Sequence, residues 1–145
     1  MAGDVVDLGE SIRELLLGHQ PIKDIVESRV YNDHLPQTSK TPAVVLTIIS
    51  EIANDCFDGP LGFDAARVQV DCYATNRPTT NELWQLCRGV LAGYRGVSAD
   101  VFIKSVTQSG GQFWATDRAE AGSDIHRYRT IQDFLVYYHS ITTVS

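Results

Sequence analysis

Apolar and polar residues alternate strictly between positions 65 and 74 of the chain. One side of this stretch carries the apolar residues Val68, Val70, Cys72 and Ala74. The other side carries the polar or aromatic residues Arg67, Gln69, Asp71 and Tyr73. A period of two is typical of a β-strand with one buried face, so the pattern predicts a strand over residues 65–74.

A helix is predicted directly after this strand. Pro78 interrupts the strand pattern, because proline has no N–H to give to a β-ladder. The sequence Thr79-x-x-Glu82 is a capping-box pattern, which predicts that the helix begins at Thr79. Apolar residues then recur at spacings of three and four, which place them on one helical stripe. These are Leu83, Leu86, Cys87, Val90, Leu91 and Tyr94.

Two further predicted strands have apolar residues on both faces. In the first, over residues 43–52, one face carries Val44, Leu46, Ile48 and Ile52. Its other face carries Val45, Thr47, Ile49 and Glu51. In the last strand of the chain, over residues 128–139, Leu135 and Tyr137 lie opposite Phe134, Val136 and Tyr138. Such a strand is either covered on both sides or contacts another subunit through its second face.

The remaining pattern predicts two N-terminal helices, over residues 7–17 and 21–26, and short strands over 29–31 and 101–107. Residues 54–62 are predicted to be a loop that joins strands 43–52 and 65–74 into an antiparallel hairpin. Residues 109–124 are weakly patterned, and we expect a loop there that holds one short strand at 112–115. We therefore predict a single domain over residues 1–145 of the α+β class, with a mostly antiparallel sheet and helices packed on one face.

The composition is that of a globular domain. With 145 residues, 43% hydrophobic and 21% charged, the chain can bury a core without disulfides. Its 12 basic residues are scattered among 18 acidic ones, which argues against a surface that coats nucleic acid. No segment has the ~20 apolar residues of a membrane span, and the N-terminus lacks the features of a signal peptide. We expect a soluble protein made in the cytosol.

No pattern indicates catalysis, a metal or a cofactor. The four histidines share no metal-ligand spacing, and the three cysteines form no Cys-x-x-Cys pair. Cys72 and Cys87 lie on faces predicted to be buried, where cysteine acts as a small hydrophobe. Cys56 is flanked by Asp55 and Asp58, whose negative charges would keep its thiol protonated. Phosphate-loop, dinucleotide-binding and hydrolase motifs are also absent from the sequence.

The order of these elements resembles that of the tail completion proteins, or tail terminators, of long-tailed bacteriophages. The resemblance extends over roughly residues 10–140 and lies in pattern and order rather than in an invariant motif. It is carried by an amphipathic start, a proline before the first long strand, the hairpin return, the end of the helix and the closing strand. These are Ser11-Ile-Arg-Glu-Leu-Leu-Leu, Pro42-Ala-Val-Val-Leu, Ala66-Arg-Val-Gln-Val-Asp-Cys-Tyr-Ala, Val90-Leu-Ala-Gly-Tyr-Arg-Gly and Phe134-Leu-Val-Tyr-Tyr.

The resemblance implies a non-enzymatic virion protein that is made in the host cytoplasm. Members of the family are similar α/β domains that form a ring, usually hexameric, on the end of the tail tube nearest the head. The ring stops tube polymerisation and docks to the head connector, and DNA passes through its lumen. The implied partners are further copies of the chain, the major tail tube protein and the connector or stopper protein. Neither sequence-specific DNA binding nor a membrane is implied.

Two sets of residues are candidates for contacts in such a ring. A closed ring uses heterologous interfaces, for which strands with surplus apolar residues are suited. The candidate subunit-interface residues are Val45, Thr47, Ile49, Glu51, Arg67, Gln69, Asp71, Tyr73, Leu135 and Tyr137. The two long loops are candidates for contacts with tube or connector, since loops carry recognition on rigid scaffolds. Their candidate residues are Asp55, Phe57, Asp58, Gln112, Phe113, Trp114 and Asp117.

Other interpretations remain open. The chain fits another neck or minor tail component, such as a head-to-tail joining subunit, almost equally well. A small cytosolic enzyme would instead use Cys56 or a carboxylate pair such as Asp117 and Glu120. Tyr128 and its flanking arginines, with Phe113 and Trp114, also have the residue types that bind single-stranded nucleic acid. The overall acidity favours a core or interface role for these aromatic residues.

Overall fold

A computed structural model of the chain describes residues 7–36, 39–52, 64–118 and 126–140. Three helices lie in this part of the chain: α1 (Leu8–Leu17), α2 (Gln20–Val26) and α3 (Arg77–Leu91). The strands are β1 (Val30–Asn32), β2 (Ala43–Ile52), β3 (Asp64–Ala74), β4 (Gly96–Ser98), β5 (Val101–Arg118) and β6 (His126–Ser140).

These strands form one sheet in the order β1-β2-β3-β6-β5-β4. The pair β1–β2 is parallel, and the other four pairs are antiparallel. The predicted hairpin of residues 43–52 and 65–74 is confirmed as β2 and β3, which pair from Ala43 opposite Tyr73 to Ile52 opposite Ala65. The fold is therefore α+β with a mostly antiparallel sheet, as predicted.

The core lies between one face of the sheet and the three helices, and we call this the helix-covered face. The sheet contributes buried residues that include Val44, Leu46, Val68, Val70, Phe134 and Val136. The helices contribute Leu8, Ile12, Leu16, Ile22, Val26, Leu83, Cys87 and Leu91. Full burial of one such leucine or isoleucine is worth about 1.5–3 kcal/mol relative to exposure. The alternating apolar residues of β3 and the apolar stripe of α3 thus pack against each other in one core.

Helix α3 begins before the predicted Thr79. Asn76 is the N-cap, and its side-chain oxygen accepts a hydrogen bond from the Thr79 backbone N–H at 2.8 Å. Asparagine is a stronger N-cap than threonine, and Pro78 is tolerated in a first turn, where its missing N–H has no intrahelical partner. The Thr80 hydroxyl donates to the Cys72 carbonyl at 2.7 Å, which ties the start of the helix to β3.

Residues 109–118 form the second half of β5, where the sequence predicted a loop with one short strand at 112–115. This strand pairs with β6 along its length, from Val101 opposite Ser140 to Arg118 opposite His126. The register shifts between Ser109 and Phe113, and Gly110 within this irregularity has φ +73°. The glycine pair therefore marks a bulge inside a strand, where an L-residue would be strained, and does not end the strand.

A second bulge changes the face on which Glu51 lies. Ile48 is opposite Val68, but Ser50 is opposite Arg67, so β2 holds one extra residue at Ile49. Glu51 is consequently opposite Ala66, on the helix-covered face. Its predicted place beside Val45 and Thr47 was wrong, because one extra residue reverses the facing of every residue that follows.

Candidate interaction surface

The sheet face that points away from the helices, here called the open face, carries most of the residues predicted for a subunit interface. In register, Val45 lies opposite Asp71, Thr47 opposite Gln69, and Arg67 opposite Leu135. With Ile49, Tyr73 and Tyr137, which follow the same alternation, they line this face from one end of β3 to the other. Glu51 is the predicted interface residue that is not brought to this face.

Charged residues at the centre of the open face are paired across β3 and β6. Arg67 Nε donates to Asp133 Oδ2 at 2.9 Å, and an Arg129 Nη donates to Asp71 Oδ2 at 2.7 Å. Each strand contributes one arginine and one aspartate, so the two ion pairs leave no net charge on this part of the face. A neutral, internally paired polar centre is easier to bury against a partner than isolated charges are.

Asp71 is the most deeply placed of these groups. The residue is only 3% exposed. Burial raises the pKa of its carboxyl group, and the hydrogen bond and positive charge of Arg129 oppose this effect. Gln69 also donates to Asp71 and lowers the pKa, whereas the charge of Asp133 raises it. The carboxylate form of Asp71 therefore depends on Arg129.

Exposed apolar residues lie at one end of the open face. Ile49, at the β2 bulge, is 50% exposed, and Tyr137, opposite Ala65, is 39% exposed. Val45, in contrast, is buried beside β1, where Tyr31 is its parallel partner. The open face thus combines a paired polar centre with an apolar end.

A small pocket lies at the opposite end of the sheet. Its volume is about 190 Å³. It is lined by Arg77, Trp114, Ala115, Thr116 and Tyr128, and we call it the Trp114 pocket. Trp114 is 41% exposed, and the Arg77 guanidinium lies 4.7 Å from the centroid of its ring, a cation–π contact.

The residues predicted for partner contacts are only partly brought together. Asp55, Phe57 and Asp58 lie outside the described residues. Gln112 lies at the β5 bulge, Phe113 opposite Ile131 and Asp117 opposite Arg127. Trp114 lies in the pocket with Tyr128, which the sequence had singled out as part of an aromatic and basic group. Arg77 was missed, because its position before Pro78 was interpreted as a turn rather than as the first residue of α3.

The described residues offer no arrangement that indicates catalysis. Cys72 and Cys87 are both buried, and the hydrogen bond between their thiols, together with burial, raises the pKa of Cys87 well above its ordinary value. Cys56 lies outside the described residues. Within the described ranges, no group of three or more His, Cys, Asp or Glu side chains could hold a metal ion. No helix in those ranges is long and apolar enough to cross a membrane.

Comparisons with known proteins give one informative result. No protein-family model matches the sequence, and no curated protein sequence matches it. Among solved structures, a chain from the virion of a native gene transfer agent particle is similar, with a TM-score of 0.61. The similarity covers 90% of this chain and 93% of that chain, and the two sequences are 14% identical. At this identity the match shows that the two chains have the same fold.

Proposed function

We propose that the chain is a structural subunit of a phage-like virion, and that it acts there as a tail completion protein. The observation that carries the proposal is the fold shared with a chain of the gene transfer agent virion, which extends over nearly the whole length of both chains. The order of elements from residue 10 to residue 140, which resembles the tail completion family, supports it independently of that comparison.

The open face is suited to subunit contacts. None of the three described helices covers this sheet face, its central charges are paired with each other, and Ile49 and Tyr137 are exposed at one end. A ring needs two different surfaces that complement each other on each subunit. The open face is our candidate for one of them.

The chemistry of the described residues supports a role other than catalysis. Its two described thiols are buried, and the raised pKa of Cys87 makes that thiol a poor nucleophile. The Trp114 pocket, at about 190 Å³, is smaller than the roughly 300–1,000 Å³ of sites for small molecules. A pocket of this size can accommodate one side chain of a protein partner.

In the proposed role, copies of the chain form a ring, expected to be hexameric, on the head-proximal end of the tail tube. Its partners are the major tail tube protein and the connector or stopper protein of the head. DNA passes through the lumen, and the net charge of −6 would limit its adhesion there. Residues 54–62 and 109–124 are the candidate segments for contacts with tube or connector.

The proposal is tested by removing the gene from a producing strain and by locating the tagged chain in particles with gold-labelled antibodies. A tail completion protein should be found where tail meets head, and its loss should give overlong tubes that carry no heads. Particles without the protein, or normal particles after deletion, would contradict the proposal. Tails of normal length that fail to join heads would instead identify a head-to-tail joining subunit.

A further inference from the structure

The outer side of β5 is open over most of its length in the part of the chain that the structure describes. Strand β4 pairs with Val101–Ile103 alone, whereas β5 continues to Arg118. Just beyond β4, the Gly93 backbone N–H donates to the Val106 carbonyl oxygen at 2.9 Å. Residues 107–118 then pair with β6 on one side and with no described strand on the other.

The backbone groups of Trp114 and Thr116 point to this open side. One row across β2, β3, β6 and β5 consists of Val44, Cys72, Thr130 and Trp114. The Val44 N–H donates to the Arg29 carbonyl oxygen, on the side of β1. A residue in an antiparallel ladder exchanges backbone hydrogen bonds with only one of its two neighbours, so Cys72 bonds to Thr130 and the N–H and C=O of Trp114 point outwards. Those of Thr116, two residues further on, point the same way.

This part of the edge lacks the features that protect exposed sheet edges in most proteins. Charged residues and prolines usually prevent another strand from adding to an edge. Residues 105–116 contain neither, and Trp114 is 41% exposed. A bulge, another common protection, lies at Gly110 and so comes before Trp114. The outer edge at Trp114–Thr116, here called the β5 edge, is therefore open to an added strand.

The Trp114 pocket borders the β5 edge. Three of the five residues that line the pocket belong to this edge, namely Trp114, Ala115 and Thr116. Every second side chain of an added strand would lie on the helix-covered side, next to Trp114 and Thr116. When a strand adds to a sheet, main-chain hydrogen bonds give the affinity, and pockets for alternate side chains give the specificity.

Arg77 gives this pocket a positive charge. Its guanidinium lies 4.7 Å from the centroid of the Trp114 ring, and no ion pair among the described side chains includes it. None of the lining residues is acidic, and neither is any residue in the first turn of α3. The pocket thus fits a carboxylate side chain, which would pair with the guanidinium.

We propose that the β5 edge accepts an extended segment of a different protein, which adds as a strand beside Trp114 and Thr116 and places an aspartate or glutamate side chain in the Trp114 pocket. A second copy of this chain is a poorer match. Its described edge strands β1 and β4 have three residues each, and its β5 has no acidic residue from Lys104 to Thr116. The inference rests on the proposed function for its setting, in which the different protein is another component of the particle.

Photo-crosslinking in purified particles tests which protein lies at the edge. Benzoylphenylalanine at position 115 leaves Trp114 and Thr116 in place, because Ala115 lies opposite Arg129 on the open face. It should crosslink to one acidic segment of a different particle protein, as identified by mass spectrometry. The same group in place of Gln85, on the exposed side of α3, should not give this crosslink. Crosslinks between two copies of the chain, nuclease-sensitive crosslinks to nucleic acid, or no crosslink from position 115 would overturn the proposal.

Two substitutions of Thr116 separate backbone pairing from side-chain contact. Thr116→Pro removes an outward N–H but no hydrogen bond to β6, and it should weaken affinity for the purified crosslinked protein by about tenfold or more. Thr116→Val keeps the N–H and should bind like the unmodified chain. Circular dichroism verifies that both variants are folded. Equal affinities of the two variants would show that no strand adds at this edge.

A pair of arginine substitutions tests the carboxylate. Arg77→Gln should weaken the same affinity about tenfold, and exchange of the partner's acidic residue for its amide should then have no further effect. Arg95→Gln is the matched control, since Arg95 also contacts a ring, that of Phe102 at 5.1 Å, but lies beside β4. Equal effects of Arg77→Gln and Arg95→Gln would contradict a carboxylate in the pocket.

The two proposals fail in different ways. Particles that contain the chain at the head–tail junction, but without a crosslink from position 115 to a different protein, would retain the proposed function and reject the strand addition. Particles that lack the chain would reject the proposed function. A crosslinked protein from illuminated producing cells would then retain the strand addition if its affinity falls with Thr116→Pro and not with Thr116→Val. A chain that is absent from particles and gives no crosslink in cells would reject both.

Discussion

At the scale of single residues, the carboxyl group of Asp71 is almost completely buried in the sheet. Its pKa is raised by burial, and Arg129 limits that rise. Replacement of Arg129 by methionine keeps an unbranched apolar stem but removes the guanidinium and its charge. We expect Arg129→Met to lower the free energy of unfolding by about 2–3 kcal/mol at neutral pH, because it leaves a buried charge without its partner. Urea denaturation measures this difference.

The pH dependence of this loss has a definite sign. Without Arg129, the pKa of Asp71 in the folded state rises further above its value in the unfolded chain, so the folded state binds the proton more tightly. Stability is then lost as pH rises from the unfolded to the folded pKa and is regained on acidification. The deficit of Arg129→Met relative to the unmodified chain should therefore shrink towards about pH 4.

Arg67 provides the matched control for this prediction. It forms the equivalent ion pair with Asp133 on the same face, but its side chain is 48% exposed. Because water screens an exposed pair, Arg67→Met should lower the free energy of unfolding by less than about 1 kcal/mol, with little pH dependence. Equal losses for the two variants, or a loss at Arg129 that grows on acidification, would show that burial of Asp71 is not the cause.

The thiols of Cys72 and Cys87 should behave as core residues. In a Cys56→Ser background, we expect neither thiol to react with Ellman's reagent in the folded protein, even at mildly alkaline pH. Burial excludes the reagent, and the raised pKa keeps Cys87 protonated. Both thiols should react once the protein is unfolded in urea. Rapid reaction of the folded protein would show that Cys72 or Cys87 is accessible and does not behave as a core residue.

At the scale of elements, the start of α3 distinguishes two capping residues. Asn76→Ala should lower the free energy of unfolding by about 1 kcal/mol, because the Thr79 N–H loses its acceptor. Asn76→Asp should preserve the cap. Thr79→Ala should change stability little, since the Thr79 side chain is not the cap that the sequence pattern indicated. Thermal and urea unfolding of the three variants would show which residue caps the helix.

The elements that were predicted correctly are those with a strong local signal. The alternation of β3 and the apolar stripe of α3 indicate which residues are buried, because most residues that face the core are apolar. Strand Ala43–Ile52 was predicted with its observed bounds for the same reason. The face of Glu51 could not be predicted, because the bulge at Ile49 depends on pairing with β3 and leaves no local pattern.

In residues 109–118, a strong local signal led to a wrong prediction. Gly110 and Gly111 indicated a loop, but pairing with β6 overrides the low strand propensity of glycine and turns the pair into a bulge. For the candidate sites, Trp114 and Tyr128 were recognised as a possible pair because both are aromatic. The sequence could not place Arg77 beside them, because the start of α3 packs against strands β5 and β6 through tertiary contacts that no local pattern reveals.

At the scale of the whole molecule, the sheet has two faces with different chemistry. The helix-covered face contains the core, and the open face contains paired charges beside exposed apolar residues. A subunit of this kind can present the open face and the two ends of the sheet to neighbours without exposing its core. Substitutions on the open face should consequently separate assembly from folding.

Thr47→Lys is the sharpest such substitution, because Thr47 lies at the centre of the open face opposite Gln69 and is only partly buried. The lysine side chain can extend towards water in the isolated subunit, so we expect the free energy of unfolding to fall by less than about 1 kcal/mol. In an assembled particle the same charge would be buried without a partner, and incorporation should fall by about tenfold or more.

Gln85→Lys, which adds the same charge to the exposed side of α3, should be incorporated normally. Quantitative mass spectrometry of purified particles measures both variants against the unmodified chain. Equal incorporation of Thr47→Lys and Gln85→Lys would mean that the open face remains exposed to solvent after assembly. The subunit contacts would then have to lie at the ends and edges of the sheet alone.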